Sequence, residues 1–394
     1  MSPHHPGSRS RTEPGATPAP GAPLTPQTLQ PPQTPDTPDA PADHGHPFDH
    51  LTPQAVLDAL DAVGQRGDGR LLQLNSYENR VFQVMLEDGG AVVAKFYRPS
   101  RWTDAQIAEE HAFAAELAAA DVPVVAPLPL ADGSTLAHAV VDGQPFRLAV
   151  YPRQSGHGPE LEQPETLRWL GRFIGRLHAV GAQRPFMHRR RLDAQTFGHQ
   201  ALQRLLALDC IPPAQRGAWL ASCRQALAMV DAAFAAVPFE TLRLHGDCHP
   251  GNILWREVPG SANGANSASS TGSAGGPHIV DLDDAVTGPA VQDLWMLLSG
   301  SRAAMQAQLA AVLQGYRQFR DFDRRELALI EPLRTLRMLH HSAWLAARWD
   351  DPAFPLAFPW FGTPGYWGQQ TTELREQIGA MAEPALEPDL GQAD

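Results

Sequence analysis

The chain has 394 residues, 43% of them apolar, enough for two lobes of ordinary domain size plus unstructured extras. Its formal net charge of −12 argues against a nucleic-acid-binding surface, which needs clustered Lys and Arg, and no uninterrupted apolar run is long enough to span a bilayer. Cys210, Cys223 and Cys248 lack metal-ligand spacing and leave an odd thiol, so the expectation is a cytoplasmic protein, not membrane-bound, acting as a monomer.

Residues 1–47 are dense in Pro, Thr, Gly and Ala, too poor in apolar groups to offset the entropy of ordering, and read as a disordered Pro-rich tail. The N-lobe is expected over residues 48–151. It holds three short apolar or alternating strands, Val81–Met85, Ala91–Phe96 and Phe146–Val150, interrupted by a helix over 103–120 with Thr103 as N-cap. From residue 152 to 394 the pattern turns helical, with candidate helices Pro164–Val180, Gln200–Leu208, Pro213–Ala236, Val291–Leu298, Ser301–Gln318 and Arg325–Trp349. A Ser/Ala/Gly-rich stretch, 259–276, separates Asn252–Trp255 from His278–Val280 and reads as a long flexible loop joining two paired strands. The predicted fold class is α+β and bilobal, with a small strand-rich lobe followed by a larger helical one.

The densest chemistry lies at His245-Gly-Asp247-Cys-His249-Pro-Gly-Asn252, followed by Val280-Asp281. Phosphoryl transfer needs a carboxylate beside the acceptor hydroxyl and oxygen ligands that hold magnesium against the phosphates. A loop that doubles back between Asp247 and Asn252, with a strand pair returning Asp281 to the same point, supplies both. Lys95 ends a strand in the small lobe, where a kinase places the lysine that meets the α- and β-phosphates. Its orienting partner is expected on the next helix, with Glu110 favoured over Glu109. No G-x-G-x-x-G precedes Lys95. Asn75-Ser76-Tyr77-Glu78-Asn79 stands there instead, small and polar enough to offer backbone N–H groups and the Ser76 hydroxyl to phosphate oxygens. Residues 149–153 are expected to read adenine at the lobe junction. Trp344, Arg348, Trp349, Trp360, Tyr366 and Trp367 are candidates for an acceptor-side wall, with core packing as the plainer account.

His245-x-Asp247-x4-Asn252 with Val280-Asp281 resembles the aminoglycoside phosphotransferase and choline kinase superfamily, distant relatives of protein kinases. That resemblance implies a protein-kinase-like fold, ATP and Mg2+ as cofactors, Asp247 as catalytic base, and Asn252 and Asp281 as magnesium ligands; Asp283 stands behind Asp281 as a second candidate. It also implies that Ser76 contacts ATP and that Asp293 braces the catalytic loop. Together with Leu74–Val81, Lys95–Pro99, Gly288–Trp295 and Ala343–Trp360, the loop is similar to the bacterial stress response kinase A family. That family is described as cytoplasmic protein kinases acting on serine and threonine, which implies a protein partner bearing such a hydroxyl. Two readings stay open beside it: a small-molecule kinase acting on an aminoglycoside, amino-alcohol or sugar, and a pseudokinase scaffold, whose signature would be loss of Lys95, Asp247, Asn252 or Asp281.

Overall fold

The computed structural model describes residue 46 and residues 48–141, 143–256 and 276–390. The tail and the low-complexity loop expected from the sequence lie outside the described residues, except for two positions. His46 is half-buried with its Nε2 2.8 Å from Asp351, so the folded body starts inside the expected tail. Gly276 opens a strand.

The first helix, α1 (Pro53–Asp61), was not expected; Thr52 caps it by accepting from the Ala55 N–H. The strands that follow are β1 (Gly67–Leu74), β2 (Arg80–Leu86) and β3 (Ala91–Phe96). Helix α2 (Asp104–Ala119) begins where the sequence placed it, with a reciprocal capping box between Thr103 and Gln106. Strands β4 (Ala137–Val141) and β5 (Gln144–Pro152) complete an antiparallel sheet of order β1-β2-β3-β5-β4.

The period of two along β3 decides what this sheet does. Val92, Ala94 and Phe96 point into a core shared with Phe82, Val84, Phe146, Leu148 and Val150, so Lys95 must face the other way. Ala149 sits opposite Lys95 in the β3–β5 register and is buried with Tyr97, Trp102 and Ile107.

The helical lobe comprises α3 (Pro164–Gly181), α4 (Gln200–Ala207), α5 (Pro213–Ala236), α6 (Gln292–Trp295), α7 (Arg302–Tyr316), α8 (Ile330–Ala346), α9 (Ala353–Ala357) and α10 (Pro364–Met381). Two short antiparallel pairs lie among them: β6 (Leu242–Leu244) with β9 (Val286–Gly288), and β7 (Ile253–Arg256) with β8 (Gly276–Ile279). Three sequence expectations change here. The helix expected at 291–298 is only four residues long. The one expected from Arg325 begins as a 3-10 turn, and α8 proper starts at Ile330. Residues 149–152 remain paired in β5, with the Val150 carbonyl accepting from the Leu128 N–H, so the unpaired link between lobes begins at Arg153.

A separate apolar cluster joins the lobes. Phe113 and Leu117 of α2 pack with Leu177 and Val180 of α3 and with Ile279, Leu282 and Ala285, which flank the chemistry-bearing Asp281. Helices α3 and α7 cross with their backbones almost touching. A Cβ on Gly315 would lie 1.9 Å from the Arg168 carbonyl oxygen, and one on Gly171 2.0 Å from that of Val312. This close crossing brings His178 and Tyr316 together, Nδ1 to hydroxyl at 3.0 Å. Gly315→Ala is therefore expected to destabilise the fold by about 1–3 kcal/mol, the usual cost of overpacking. Gly217→Ala, on an exposed turn of α5 with nothing within 4 Å, is expected to be neutral or stabilising. Urea unfolding of the two variants beside wild type measures both.

Candidate active site

The loop from His245 to Asn252 connects β6 to β7 and hangs from one carboxylate. Asp293, fully buried in α6, accepts from the His245 N–H at 2.8 Å and the Gly246 N–H at 2.9 Å, and His178 Nε2 lies 3.0 Å away. Gly246 has φ +85°, and a Cβ there would sit 2.2 Å from the Asp284 carbonyl oxygen, so conformation and space both require glycine. His245 braces the loop: its Nε2 meets the Val280 carbonyl at 2.9 Å, tying the start of the loop to the residue before Asp281.

Past this brace the loop presents Asp247. One carboxylate oxygen is ion-paired with Arg337 from α8, and the other lies 3.4 Å from His249 Nε2. Burial pushes this carboxyl up, but the Arg337 guanidinium and His249 outweigh it and hold it well below the usual carboxylate range. Asn252 donates its Nδ2 to the Asp247 carbonyl at 2.9 Å. Because the partner is a carbonyl, the amide orientation is settled, and Oδ1 is the atom turned away and available to a cation. The Asn252 carbonyl in turn accepts from the Val280 N–H at 3.0 Å, which sets Asn252 beside the strand end that leads to Asp281.

Asp281 has a left-handed backbone (φ 58°), which aspartate tolerates better than most residues, and its side chain is 54% exposed. Lys95, almost fully buried, reaches across from the small lobe to place Nζ 3.1 Å from Asp281 Oδ1 and 3.2 Å from Asp283 Oδ1. Burial alone would discharge this lysine, but Asp281, Asp283 and Glu110 hold its pKa well above the ordinary value.

Asp281 and Asp283 differ sharply in surroundings. The Asp283 side chain is 3% exposed, ion-paired with Arg101 and Lys95, and takes the Asn79 Nδ2 at 3.2 Å. Burial raises its pKa, but Arg101, Lys95 and Arg189 bring it far below normal. Asp283 is therefore committed to the interior, whereas Asp281 presents an exposed carboxylate one residue after Val280, whose N–H meets the Asn252 carbonyl. A cation that keeps several waters and needs few protein oxygens fits that pair.

Residues 70–330 match the model of a family described as phosphotransferase enzymes. The chain belongs to the phosphotransferase enzyme family. Stress response kinase A of Escherichia coli (strain K12) is 42% identical over 340 residues, covering 86% of this chain and 96% of that protein. The serine/threonine protein kinase RdoA of Salmonella typhimurium is 41% identical over 345 residues, 88% of this chain and 98% of that one. Among solved structures, amicoumacin kinase hAmiN in complex with AMP-PNP and Ca2+ superimposes with a TM-score of 0.61 at 19% identity, covering 85% of this chain and 95% of that one. A microcompartment-associated aminopropanol kinase does so at 0.58 and 16%, over 79% and 91%. These two likenesses show a shared protein-kinase-like fold.

In this phosphotransferase the turn between β1 and β2 carries Ser76, half-buried, where the sequence placed the phosphate-covering loop. The partners of that turn were not foreseen. Glu78 takes hydrogen bonds from Trp344 Nε1 and, at 2.8 Å, from Arg348 Nη2, and the Tyr77 ring packs on Phe358 at 4.9 Å. Arg98 donates to the Tyr77 and Glu78 carbonyls and pairs with Asp351 at 2.6 Å. Trp344 and Arg348 thus clamp the turn across the lobes, while Trp367 is fully buried against Trp219 and belongs to the core.

The expected partner of Lys95 needs correction. Glu109 accepts from the backbone N–H groups of Met187, His188 and Arg189 and is spent on that turn. Glu110 is buried near Lys95, but the lysine's ion pairs within 4.0 Å go to Asp281 and Asp283. Burial, opposed by Lys95 and reinforced by Asp283, pushes Glu110 up to about 7. A carboxyl with a raised folded pKa costs stability as pH climbs from its unfolded value near 4.5 to about 7, and the cost stays in full above that. Glu110→Gln is accordingly expected to raise Tm at pH 8 and leave it nearly unchanged at pH 5. Thermal unfolding at both values checks this, and a lower Tm at pH 8 would contradict it.

Proposed function

We propose that this phosphotransferase is an ATP- and magnesium-dependent kinase whose acceptor is a serine or threonine hydroxyl of a protein. The observation that carries the reading is the 3.1 Å contact between Lys95 and Asp281, 186 residues apart in sequence, beside a loop that presents Asp247 and the free Oδ1 of Asn252. A lysine for phosphate, two oxygens for a divalent ion and a carboxylate for the acceptor hydroxyl stand in the order phosphoryl transfer requires. The pseudokinase reading loses its basis, since Lys95, Asp247, Asn252 and Asp281 are all present.

Each group has a distinct task in this reading. Bound magnesium would supply positive charge against the phosphates, held by Asn252 Oδ1 and the Asp281 carboxylate. Lys95 exchanges its contact with Asp281 for phosphate oxygens. Ser76 and the backbone of its turn cover the phosphates. Glu110, deep beside Lys95, steadies the lysine by its field without a direct bond. Asp247 stays ionised and orients the acceptor hydroxyl, taking its proton as the phosphoryl group leaves. Protein as acceptor is supported by the names of the relatives that match over nearly their whole length.

The test is transfer of label from γ-labelled ATP with magnesium to a set of Ser/Thr proteins and, in parallel, to aminoglycosides and amino-alcohols. Label is expected on protein. Asp247→Asn is expected to keep nucleotide affinity within a few-fold while lowering transfer by roughly 10²–10⁴. Near-normal turnover in that variant removes Asp247 from the mechanism, and label only on the small molecules replaces the protein acceptor.

A further inference from the structure

Residues 75–79, which join β1 to β2, include no glycine, so the mobility that glycine gives a covering loop is missing here. Direct contacts place this turn beside the chemistry. Val81 pairs with Leu74 on one side and with Lys95 on the other, so the turn leaves the sheet next to the lysine. Asn79 Nδ2 donates to Asp283 Oδ2 at 3.2 Å. Asp283 Oδ1 lies 3.2 Å from Lys95 Nζ, which is itself 3.1 Å from Asp281.

Side chains then fasten the turn. Asn79 Oδ1 accepts from the Arg98 N–H at 3.0 Å, and the Arg98 guanidinium donates to the Tyr77 and Glu78 carbonyls at 3.1 and 2.9 Å. Those bonds stay within the small lobe, whereas the Glu78 side chain crosses to the helical one. Its carboxylate, 11% exposed, accepts from Trp344 Nε1 and meets Arg348 at two points, Nη2 2.8 Å from Oε1 and Nε 2.6 Å from Oε2. Arg98 also has Asp351, and Arg101 has Asp283 and Asp284, but Glu78 is the one carboxylate within 4.0 Å of Arg348 among the described residues. Bonds to a charged acceptor are the strong kind, and shielding from water strengthens them. Trp344 lies about two turns along α8 from Arg337, the partner of Asp247, and Arg348 follows just past the helix end. One rigid helix therefore touches the acceptor-side carboxylate at one point and grips the phosphate-covering turn at another.

We propose that Glu78 is a positioning residue of the nucleotide site: bound to Trp344 and Arg348, it holds the Ser76 turn over the phosphates at a set distance from Asp247. The proposal rests on the kinase reading above and adds to that site a residue that acts through the turn, without touching nucleotide or acceptor. A turn shaped by these bonds is in place before ATP arrives, so little ordering entropy is lost when the phosphates dock.

The experiment is titration calorimetry of ATP with Mg2+, and of adenosine, on wild type, Glu78→Gln and Arg348→Lys. Glu78→Gln keeps an oxygen for Trp344 but takes the charge away from Arg348. Arg348→Lys keeps the charge and gives up one of the two contact points. Glu78→Gln is expected to weaken ATP by about tenfold and adenosine by less than about twofold, because only the phosphates lie under the turn. Arg348→Lys should show the same selectivity at a smaller size, and it carries the test if Glu78→Gln does not fold. Unchanged ATP affinity in a folded variant overturns the proposal. Equal weakening of ATP and adenosine also overturns it, since the pair then holds the lobes together rather than the turn over the phosphates. If wild type binds neither ligand, the kinase reading itself fails and takes the proposal with it.

Discussion

One buried carboxylate holds the chemistry in place. Asp293 has no exposed surface, and its two oxygens accept from consecutive loop N–H groups, with His178 closing the set. Hydrogen bonds to a charged group are worth about 1.5–3 kcal/mol each, and losing them would leave buried donors unpaired. His178 is positioned by Tyr316, and Tyr316 by the glycine-lined crossing of α3 and α7. The line therefore runs from two glycines through a helix crossing and a histidine to the loop that aims Asp247. Packing far from the site sets its geometry.

The second constraint is electrostatic and spans the lobes. Lys95, Arg101, Asp281 and Asp283 form a compact alternation of charge in which Asp283 is the buried centre. Arg101 and Asn79 hold Asp283 from the small lobe, so the lobes are joined by charge beside the cleft as well as by the Phe113–Leu282 apolar cluster. Lys95 and Asp281 are the exchangeable members. Each gives the other a partner, Lys95 from the interior and Asp281 from a carboxylate that stays open to solvent. Arg98–Asp351 and Glu78–Arg348 add a latch at the rim, fastening the turn that carries Ser76 to the end of the helical lobe.

What the sequence disclosed follows from how local each signal is. The strand period around Lys95, the Thr103 cap, the spacing from His245 to Asn252 and the Ile253–Ile279 strand pair are local patterns, and each appears in the structure. The Asp281 preference over Asp283 was a motif argument, and burial now supplies a physical ground for it. The partners of charged groups were not legible. Arg98 and Asp351 are 253 residues apart and Arg337 and Asp247 are 90 apart, and no periodicity marks such pairs. The direct partners of Lys95 were hidden for the same reason: helix spacing puts Glu110 on the inner face of α2, but only the assembled lobes show two nearer carboxylates. Helices α1, α9 and α10 went unread, α10 because its pattern is mixed around Trp367, a core residue amid polar neighbours.

In the proposed function, Lys95 and Asp281 trade each other for a phosphate and a metal. The most direct measurement is a crystal structure of the wild-type chain grown with Mg2+ and a non-hydrolysable ATP analogue. The account predicts Lys95 Nζ on a phosphate oxygen and a metal touching Asn252 Oδ1 and the Asp281 carboxylate. Asp283 should remain on Arg101. A metal held by Asp283 while Lys95 stays on Asp281, or a nucleotide bound outside the cleft between the lobes, would contradict it.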